Sequence, residues 1–177
     1  SVAPGVLGQA AFLDRESQSM TLNENIINNN FTISIWYNRE EVVDDDTTDT
    51  LIGKNSEIAF YFDNYDFNCT PGTNGLTFNY YESVGGWQNF VCSETYGLEP
   101  NRWYHAVVTY DMGTDMLRLF IDGVERDSVE ETTTYDGASS FYVGNYDAPI
   151  LNEFPGALDD VRIYNRALSA EEVKRLY

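Results

Sequence analysis

Basic residues are scarce in this chain of 177 residues. Ten lysines and arginines stand against 29 aspartates and glutamates, so the formal net charge at pH 7 is -19. Such a charge argues against nucleic acids and anionic membrane surfaces as partners, because both repel an acidic protein. Divalent cations and neutral ligands stay compatible with it.

Long apolar runs are also missing. No stretch approaches the roughly 18 consecutive apolar residues of a membrane span, so we expect no membrane insertion. The chain begins at Ser1 with neither an initiator Met nor a signal peptide, which favours a module excised from a larger secreted or cell-surface protein. Hydrophobic residues still make up 42% of the chain, enough to fold, and we expect a single monomeric domain over 1–177.

Histidine occurs once in the chain and cysteine twice. His105 lies inside an apolar segment, which favours a structural histidine over a ligand or base. A Ser-His-Asp triad cannot be argued from it, and no zinc-binding spacing of cysteine and histidine exists. Cys69 and Cys92 could form a disulfide worth about 3 kcal/mol across the aromatic middle of the chain. Two free core thiols are the alternative.

Alternating apolar and polar residues dominate the chain and predict β-strands. In 31–36, for example, Phe31, Ile33 and Ile35 alternate with Thr32, Ser34 and Trp36, as in a half-buried strand. Ten to fourteen such short strands, with closely spaced turns, indicate an antiparallel two-sheet sandwich. A capping box of Ser169 and Glu172 predicts one short C-terminal helix over 170–177.

The closing stretch 156–168 contains a fault in its alternation. Leu158 is followed by apolar residues at Val161 and Ile163, so the period of two slips by one residue at Asp159 and Asp160. A β-bulge would absorb the extra residue and bring two carboxylates into a confined space. Carboxylates held in that way need water or a cation.

Several motifs together resemble one family. They are Gly-Gln-Ala-Ala-Phe-Leu-Asp at 8–14, Phe-Thr-Ile-Ser-Ile-Trp at 31–36, the strand at 103–111, Leu-Phe-Ile-Asp-Gly at 119–123, and 156–169. In this order they resemble the laminin-G-like, concanavalin A-like lectin and glucanase family. The resemblance implies an all-β fold, a two-sheet antiparallel jelly-roll sandwich with a short C-terminal helix. One departure is Arg15, where the family usually has glycine.

Many members of this fold bind a structural Ca²⁺ between the opening loop and the last strand. The resemblance therefore implies Asp14 and Asp159 as side-chain ligands of one ion, with backbone carbonyls beside them. In the alternative, Asp159 pairs with Arg162 or caps a turn. Asp160 is left open between a further ligand and a residue facing water.

Aromatic residues supply candidates for a carbohydrate site, because an aromatic ring offers a flat partner for the apolar face of a sugar. Trp87 is the first candidate, since it follows Gly85 and Gly86 and precedes the polar Gln88 and Asn89. A second set comprises Tyr61, Tyr65, Tyr80, Tyr81, Tyr96, Tyr135 and Tyr146. Ordinary packing is the alternative for about half of these tyrosines. Trp36 and Trp103 lie in apolar strands and are expected in the core.

The family contains both binding modules and enzymes, so fold alone does not decide function. Glucanases and galactanases of this architecture carry a Glu-x-Asp-x-x-Glu run, which does not occur here. We therefore expect a secreted, noncatalytic carbohydrate-binding module of a larger polysaccharide-degrading or surface protein, with a neutral glycan as partner. The alternatives are an adhesion or protein-interaction module and, less favoured, a glycoside hydrolase or polysaccharide lyase.

Overall fold

The computed structural model describes residues 2–14, 20–22, 30–40, 48–54, 58–62, 75–82, 86–93, 97–132, 141–146 and 153–177. Within these ranges, the side chains of 14, 80–82 and 86–90 are not described. The described residues form thirteen strands and one helix. The elements are β1 (Val2–Gly5), β2 (Gly8–Asp14), β3 (Met20–Leu22), β4 (Asn30–Arg39), β5 (Asp49–Lys54), β6 (Ile58–Phe62), β7 (Leu76–Glu82), β8 (Gly86–Cys92), β9 (Trp103–Asp111), β10 (Met116–Ile121), β11 (Val124–Glu130), β12 (Phe141–Val143), β13 (Pro155–Tyr164) and α1 (Ala170–Leu176).

The strands form two antiparallel sheets. One sheet has seven strands in the order β1-β2-β13-β4-β9-β10-β11, and the other has six in the order β3-β12-β5-β6-β7-β8. The closing strand β13 lies between β2 and β4, so the two ends of the described chain meet in one sheet. The predicted all-β jelly-roll sandwich with a short C-terminal helix is confirmed.

The core lies between the two sheets and is rich in aromatic rings. Phe31 of the seven-stranded sheet packs on Phe78 of the six-stranded sheet with ring centroids 5.9 Å apart, and Phe60 meets Phe78 at the same distance. All three side chains are fully buried. Since burying such a side chain stabilises by about 1.5–3 kcal/mol, the alternation in the sequence decides which face of each strand turns inward.

The helix α1 covers the outer face of the seven-stranded sheet. Val173 packs in a small cluster with Val107, Phe120 and Leu168, separate from the main core. The predicted capping box is present, because the Ser169 hydroxyl accepts the Glu172 N–H and the Glu172 carboxylate accepts the Ser169 N–H. Hydrogen bonds from the Arg166 guanidinium and the Ser169 N–H lower the pKa of Glu172 to about 2.

The helix has seven residues. Over the described ranges, no helix has the length and apolar character needed to cross a membrane.

Candidate carbohydrate-binding face

The irregular alternation in the closing strand corresponds to a β-bulge. Asp159 lies opposite Trp36 and Arg162 opposite Ser34, so three steps along β13 match two steps along β4. The extra residue is accommodated by Asp160, whose φ of +46° is in the left-handed region. The predicted bulge is confirmed.

The two carboxylates of this bulge have protein partners. Asp159 accepts the N–H of Leu7 at 3.0 Å and the N–H of Asp160 at 2.8 Å. Asp160 forms an ion pair with Arg162, with its two oxygens 2.8 and 2.7 Å from the guanidinium nitrogens. Asp159 therefore caps the turn between β1 and β2, which was the alternative to a metal ligand.

The register separates the two predicted calcium ligands. Asp14 lies opposite Pro155, four residues before Asp159 on the same strand, which is about 13 Å along the strand. Two ligands of one Ca²⁺ lie within about 5 Å of each other, because each oxygen is about 2.3–2.6 Å from the ion. The side chain of Asp14 is not described, so one ion shared by Asp14 and Asp159 stays a prediction. In the part of the chain described, no three Asp, Glu, His or Cys side chains are grouped closely enough to hold a metal.

A different carboxylate lies at the Asp14 end of the ladder. Glu153 precedes Pro155 by two residues and forms a parallel bridge with Thr50. Its Oε1 atom is buried without a hydrogen-bond partner in the structure described. An unpaired carboxylate oxygen of this kind is costly unless a cation or water reaches it.

The strand order brings most of the predicted sugar-binding residues together. They lie on three adjacent strands: Tyr61 on β6, Tyr80 and Tyr81 on β7, and Trp87, Gln88 and Asn89 on β8. The backbone of Tyr81 pairs with Trp87, and that of Tyr80 pairs with Gln88. Tyr61 is the member whose side chain is described, and it is half-buried. Tyr65, Tyr96 and Tyr135 lie outside the described residues.

A row of short side chains crosses the outer face of the six-stranded sheet beside Tyr61. Hydrogen-bonded register places Gly53 of β5, Ala59 of β6 and Asn79 of β7 side by side, with Tyr142 of β12 at the end of the row. Each follows or precedes a core residue on its strand, so the period of two turns all four outward. We call these four residues the outer row.

Two tyrosines flank the outer row. The hydroxyl of Tyr61 accepts a hydrogen bond from Asn79 Nδ2 at 3.1 Å. The ring of Tyr146 packs on Gly53, where an added Cβ would lie only 2.9 Å from Tyr146 Cδ2. Asn79 is only 3% exposed, and its Oδ1 has no hydrogen-bond partner among the described residues.

Asn79 is the residue of this face that sequence reasoning missed. Its place in the alternation of Leu76, Thr77, Phe78 and Asn79 showed that it faces away from the core. Only the cross-strand register shows that it lies beside Tyr61 and Ala59. A bulge immediately follows it, between Asn79 and Tyr80.

Cys92 lies at the far end of β8 from Trp87. It is buried and disulfide-bonded, while the predicted partner, Cys69, is outside the described residues, so their pairing stays a prediction. The Cys92 N–H donates to the Asp127 carboxylate on β11 at 2.9 Å. This bond joins the edges of the two sheets, which keeps the edge strand β8 from offering this N–H to another chain.

His105 has the structural surroundings that its apolar strand predicted. It is 1% exposed, and its Nε2 lies 2.8 Å from the Ser34 hydroxyl. Burial lowers its pKa to about 4, a nearby Asp160 raises it somewhat and Arg162 lowers it further. His105 is therefore neutral at physiological pH.

The prediction that Trp36 and Trp103 lie in the core is wrong. Both are only half-buried. Trp36 faces the outer side of the seven-stranded sheet, where it stacks on His105 at 4.9 Å and on Tyr177 at 5.7 Å. Its alternation with Ile33 and Ile35, which are in the core, already assigned it to the other face.

Solved structures with the same fold include parts of several larger proteins. Domain 4 of AbnA, a GH43 extracellular arabinanase from Geobacillus stearothermophilus, was solved in complex with arabinotriose; it is 24% identical, with a TM-score of 0.74, and the match covers 99% of this chain and 80% of that one. The Ruminococcus gnavus IT-sialidase CBM40, bound to α2,3-sialyllactose, is 13% identical, with a TM-score of 0.73 and coverage of 94% and 95%. The binding domain of Paraclostridial Mosquitocidal Protein 1 is 21% identical, with a TM-score of 0.77 and coverage of 99% and 44%.

At these identities the likenesses show the fold. No curated protein sequence matches the chain. The concanavalin A-like lectin/glucanases superfamily, by contrast, matches residues 14–174, which is most of the sequence. The chain therefore belongs to the concanavalin A-like lectin/glucanases superfamily.

Proposed function

We propose that this chain is a noncatalytic carbohydrate-binding module of a larger secreted or cell-surface protein. One observation carries the proposal: the predicted aromatic and amide residues lie on the adjacent strands β6, β7 and β8, beside the half-buried Tyr61. The proposed contacts are Trp87, Tyr61, Tyr80, Tyr81, Tyr65, Gln88 and Asn89. Aromatic rings with neighbouring amides are the combination that binds both the apolar faces and the hydroxyls of sugars.

The net charge of -19 selects among glycans. An anionic sugar would have to approach a strongly negative protein, which disfavours its binding most at low ionic strength. We therefore propose a neutral glycan, such as an arabinan, xylan or glucan, in preference to a sialylated one.

Similar structures support a binding role over a catalytic one. They include a binding domain of a mosquitocidal protein and a CBM40 bound to sialyllactose. The mosquitocidal likeness equally supports the second candidate, an adhesion or protein-interaction module that uses the same face. Release of reducing sugar from any of the polysaccharides tested would contradict the noncatalytic proposal.

Affinity electrophoresis in gels containing arabinan, xylan or glucan tests the glycan proposal. We expect retardation of the wild-type protein in at least one gel and loss of retardation in Trp87→Ala. Tyr177→Ala is the matched control, because this exposed ring lies on the opposite outer face. Absence of retardation in every gel would sink the proposal and leave the protein-interaction module.

One structural Ca²⁺ remains part of the proposal, with Asp14 and Asp159 as its side-chain ligands. Glu153 is a further candidate ligand, because its Oε1 is buried without a hydrogen-bond partner among the described residues. A chelator should lower the melting temperature and Ca²⁺ should restore it, since ligand binding to the native state stabilises it.

Variants separate the two ligand sets. We expect Asp14→Asn and Asp159→Asn to abolish the calcium response. Loss of the response in Asp14→Asn and Glu153→Gln, but not in Asp159→Asn, would replace Asp159 by Glu153 as the second ligand. An unchanged melting temperature of the wild type at micromolar Ca²⁺ would remove the ion from the account.

A further inference from the structure

We infer that the glycan site extends across β5 onto Tyr142 and Tyr146, and that Gly53 is the positioning residue that lets Tyr146 lie there. The inference rests on the proposed carbohydrate-binding function and adds two contacts on the side of Tyr61 away from Trp87. Three observations carry it. They are the half-buried tyrosines around Gly53, the close approach of the chain to Gly53, and the hydrogen bonds that hold the segment carrying Tyr146.

Three tyrosines surround Gly53 on the outer face of the six-stranded sheet. Tyr142 of β12 pairs with Gly53, and Tyr146 packs on it. Tyr61 follows by two residues the Ala59 that pairs with Gly53, and such diagonal neighbours have α-carbons about 7–8 Å apart. All three tyrosines are half-buried, so part of each side chain is open to solvent. These tyrosines, rather than the buried residues between them, form the surface that a ligand meets.

Space, and not backbone conformation, requires glycine at position 53. Gly53 lies inside β5 and is not among the residues with positive φ. A Cβ added there would lie 2.9 Å from Tyr146 Cδ2 and 3.0 Å from Tyr146 Cα. Glycine inside a strand weakens the strand and often marks the close approach of another backbone. Gly53 therefore sets how closely Tyr146 approaches the sheet.

Hydrogen bonds hold the segment that carries Tyr146. The Gly144 N–H donates to the Leu51 carbonyl at 2.8 Å, and the Gly144 carbonyl accepts the Phe154 N–H at 3.0 Å. Asn145 is buried, and its Oδ1 accepts the Tyr146 N–H at 2.6 Å. A ring on a backbone that is already fixed loses little freedom when a ligand binds, which favours affinity.

The added tyrosines also define the ligand. Tyrosine rings pack on the apolar faces of sugars, and their hydroxyls can donate to and accept from sugar hydroxyls. With Tyr142, the site spans the five adjacent strands from β12 to β8, which is about 19 Å at about 4.8 Å per strand. The site then takes several linked units of a neutral glycan, and not a single terminal sugar.

Variants of the two tyrosines test the contacts. Each is titrated by calorimetry with arabinotriose and with tri- to hexasaccharides of xylan and glucan. Tyr142→Ala and Tyr146→Ala should each lower the affinity for a bound probe about 2- to 10-fold, the worth of one aromatic contact. Tyr146→Phe keeps the ring and should keep most of the affinity. Tyr177→Ala is the control, because it removes an exposed ring from the other sheet.

Gly53→Ala tests the positioning role. It should lower the affinity as much as Tyr146→Ala does, and it should cause no further loss in the Tyr146→Ala background, because residues that act through one contact are not additive. Gly97→Ala is the matched control, since its added Cβ would lie 3.8 Å from Glu99 Oε1, an ordinary contact. An equal loss from Gly53→Ala in both backgrounds would contradict positioning through Tyr146. A lower melting temperature with unchanged affinity would make Gly53 a structural residue only.

The outcomes separate the inference from the proposed function. If the wild type binds a probe and both Tyr142→Ala and Tyr146→Ala bind it equally well, the inference is overturned while the function stands. If the wild type binds none of the probes, both fail. Should the variants not fold, the ring resonances of Tyr142 and Tyr146 in the wild type decide. We expect them to shift on saturation with a bound probe, and unshifted rings would contradict direct contact.

Discussion

Each outer face of the sandwich holds one of the buried polar side-chain atoms that have no hydrogen-bond partner among the described residues. On the seven-stranded sheet it is His105 Nδ1, and on the six-stranded sheet it is Asn79 Oδ1. The two side chains are almost equally buried, at 1% and 3% exposed. Their surroundings nevertheless differ.

His105 is closed in by aromatic rings. The rings of Trp36 and Tyr177 stack on it with centroids 4.9 and 6.4 Å away, and its Nε2 is already paired with Ser34. Asn79, in contrast, has a methyl group and a glycine as its neighbours across the sheet. Ala59 is itself only 4% exposed and Tyr146 packs on Gly53, so short neighbours do not leave the Asn79 oxygen open to solvent.

The largest expected effect comes from a cavity made under α1, on the outer face of the seven-stranded sheet. Phe120→Ala removes a ring from the cluster under α1 and should destabilise the protein by about 3–5 kcal/mol, measured by denaturant unfolding. Glycan affinity at 25 °C should be unchanged, because the cluster lies on the sheet opposite the outer row. A parallel loss of affinity would show that the two faces are not independent.

Reduction of the disulfide should have the next largest effect. Cys92→Ser, or reductant added to the wild type, should destabilise by about 3 kcal/mol if Cys92 pairs with Cys69 and closes that loop. Reductant should have no further effect on Cys92→Ser. An unfolding midpoint insensitive to reductant in the wild type would refute the predicted pairing.

The free energy of unfolding should also depend on pH through His105, on the outer face of the seven-stranded sheet. His105 has a folded pKa of about 4 against an unfolded value of 6.5, so the unfolded state binds more protons between these values. Stability from this group is therefore full above pH 6.5 and is lost as pH falls toward 4, by about 2–3 kcal/mol.

Comparison with His105→Gln isolates that contribution from the many carboxylates, including Asp160, and from Arg162. The unfolding free energy should fall less between pH 7 and pH 4.5 in the variant than in the wild type. Equal slopes in the two proteins would mean that His105 does not titrate in this range.

The smallest expected effect is at the helix cap. Ser169→Ala removes the hydroxyl that accepts the Glu172 N–H and should cost about 1 kcal/mol without changing glycan affinity. Glu171→Ala offers a nearby control that leaves the capping box intact. A cost no greater than that of the control would show that the cap contributes nothing measurable to α1.

The sequence predicted features that depend on neighbours along the chain. The bulge at Asp159 and Asp160 and the box at Ser169 and Glu172 each follow from local spacing, and both are confirmed. The calcium pair required knowing which residue of β2 lies opposite which residue of β13. Local alternation does not set that register. The register places the backbone of Asp14 opposite Pro155, four residues before Asp159.

For the candidate site, the sequence likewise predicted the residue types but not their neighbours across the sheet. Trp87, Tyr80 and Tyr81 stand out by residue type, and the strand order brings them to adjacent strands. Asn79 resembles any outward polar residue of a strand until its cross-strand neighbours are known. Its burial distinguishes it, because Asn79 is only 3% exposed although it faces away from the core.

The most direct test of the account is a map of backbone amide shifts during titration with arabinan, xylan and glucan oligosaccharides. We predict that saturation with a binding sugar shifts the amides of Ala59, Tyr61 and Asn79 and leaves those of Trp36 and His105 unmoved. Shifts confined to Trp36, His105 and α1 would place the ligand on the outer face of the seven-stranded sheet and contradict the account.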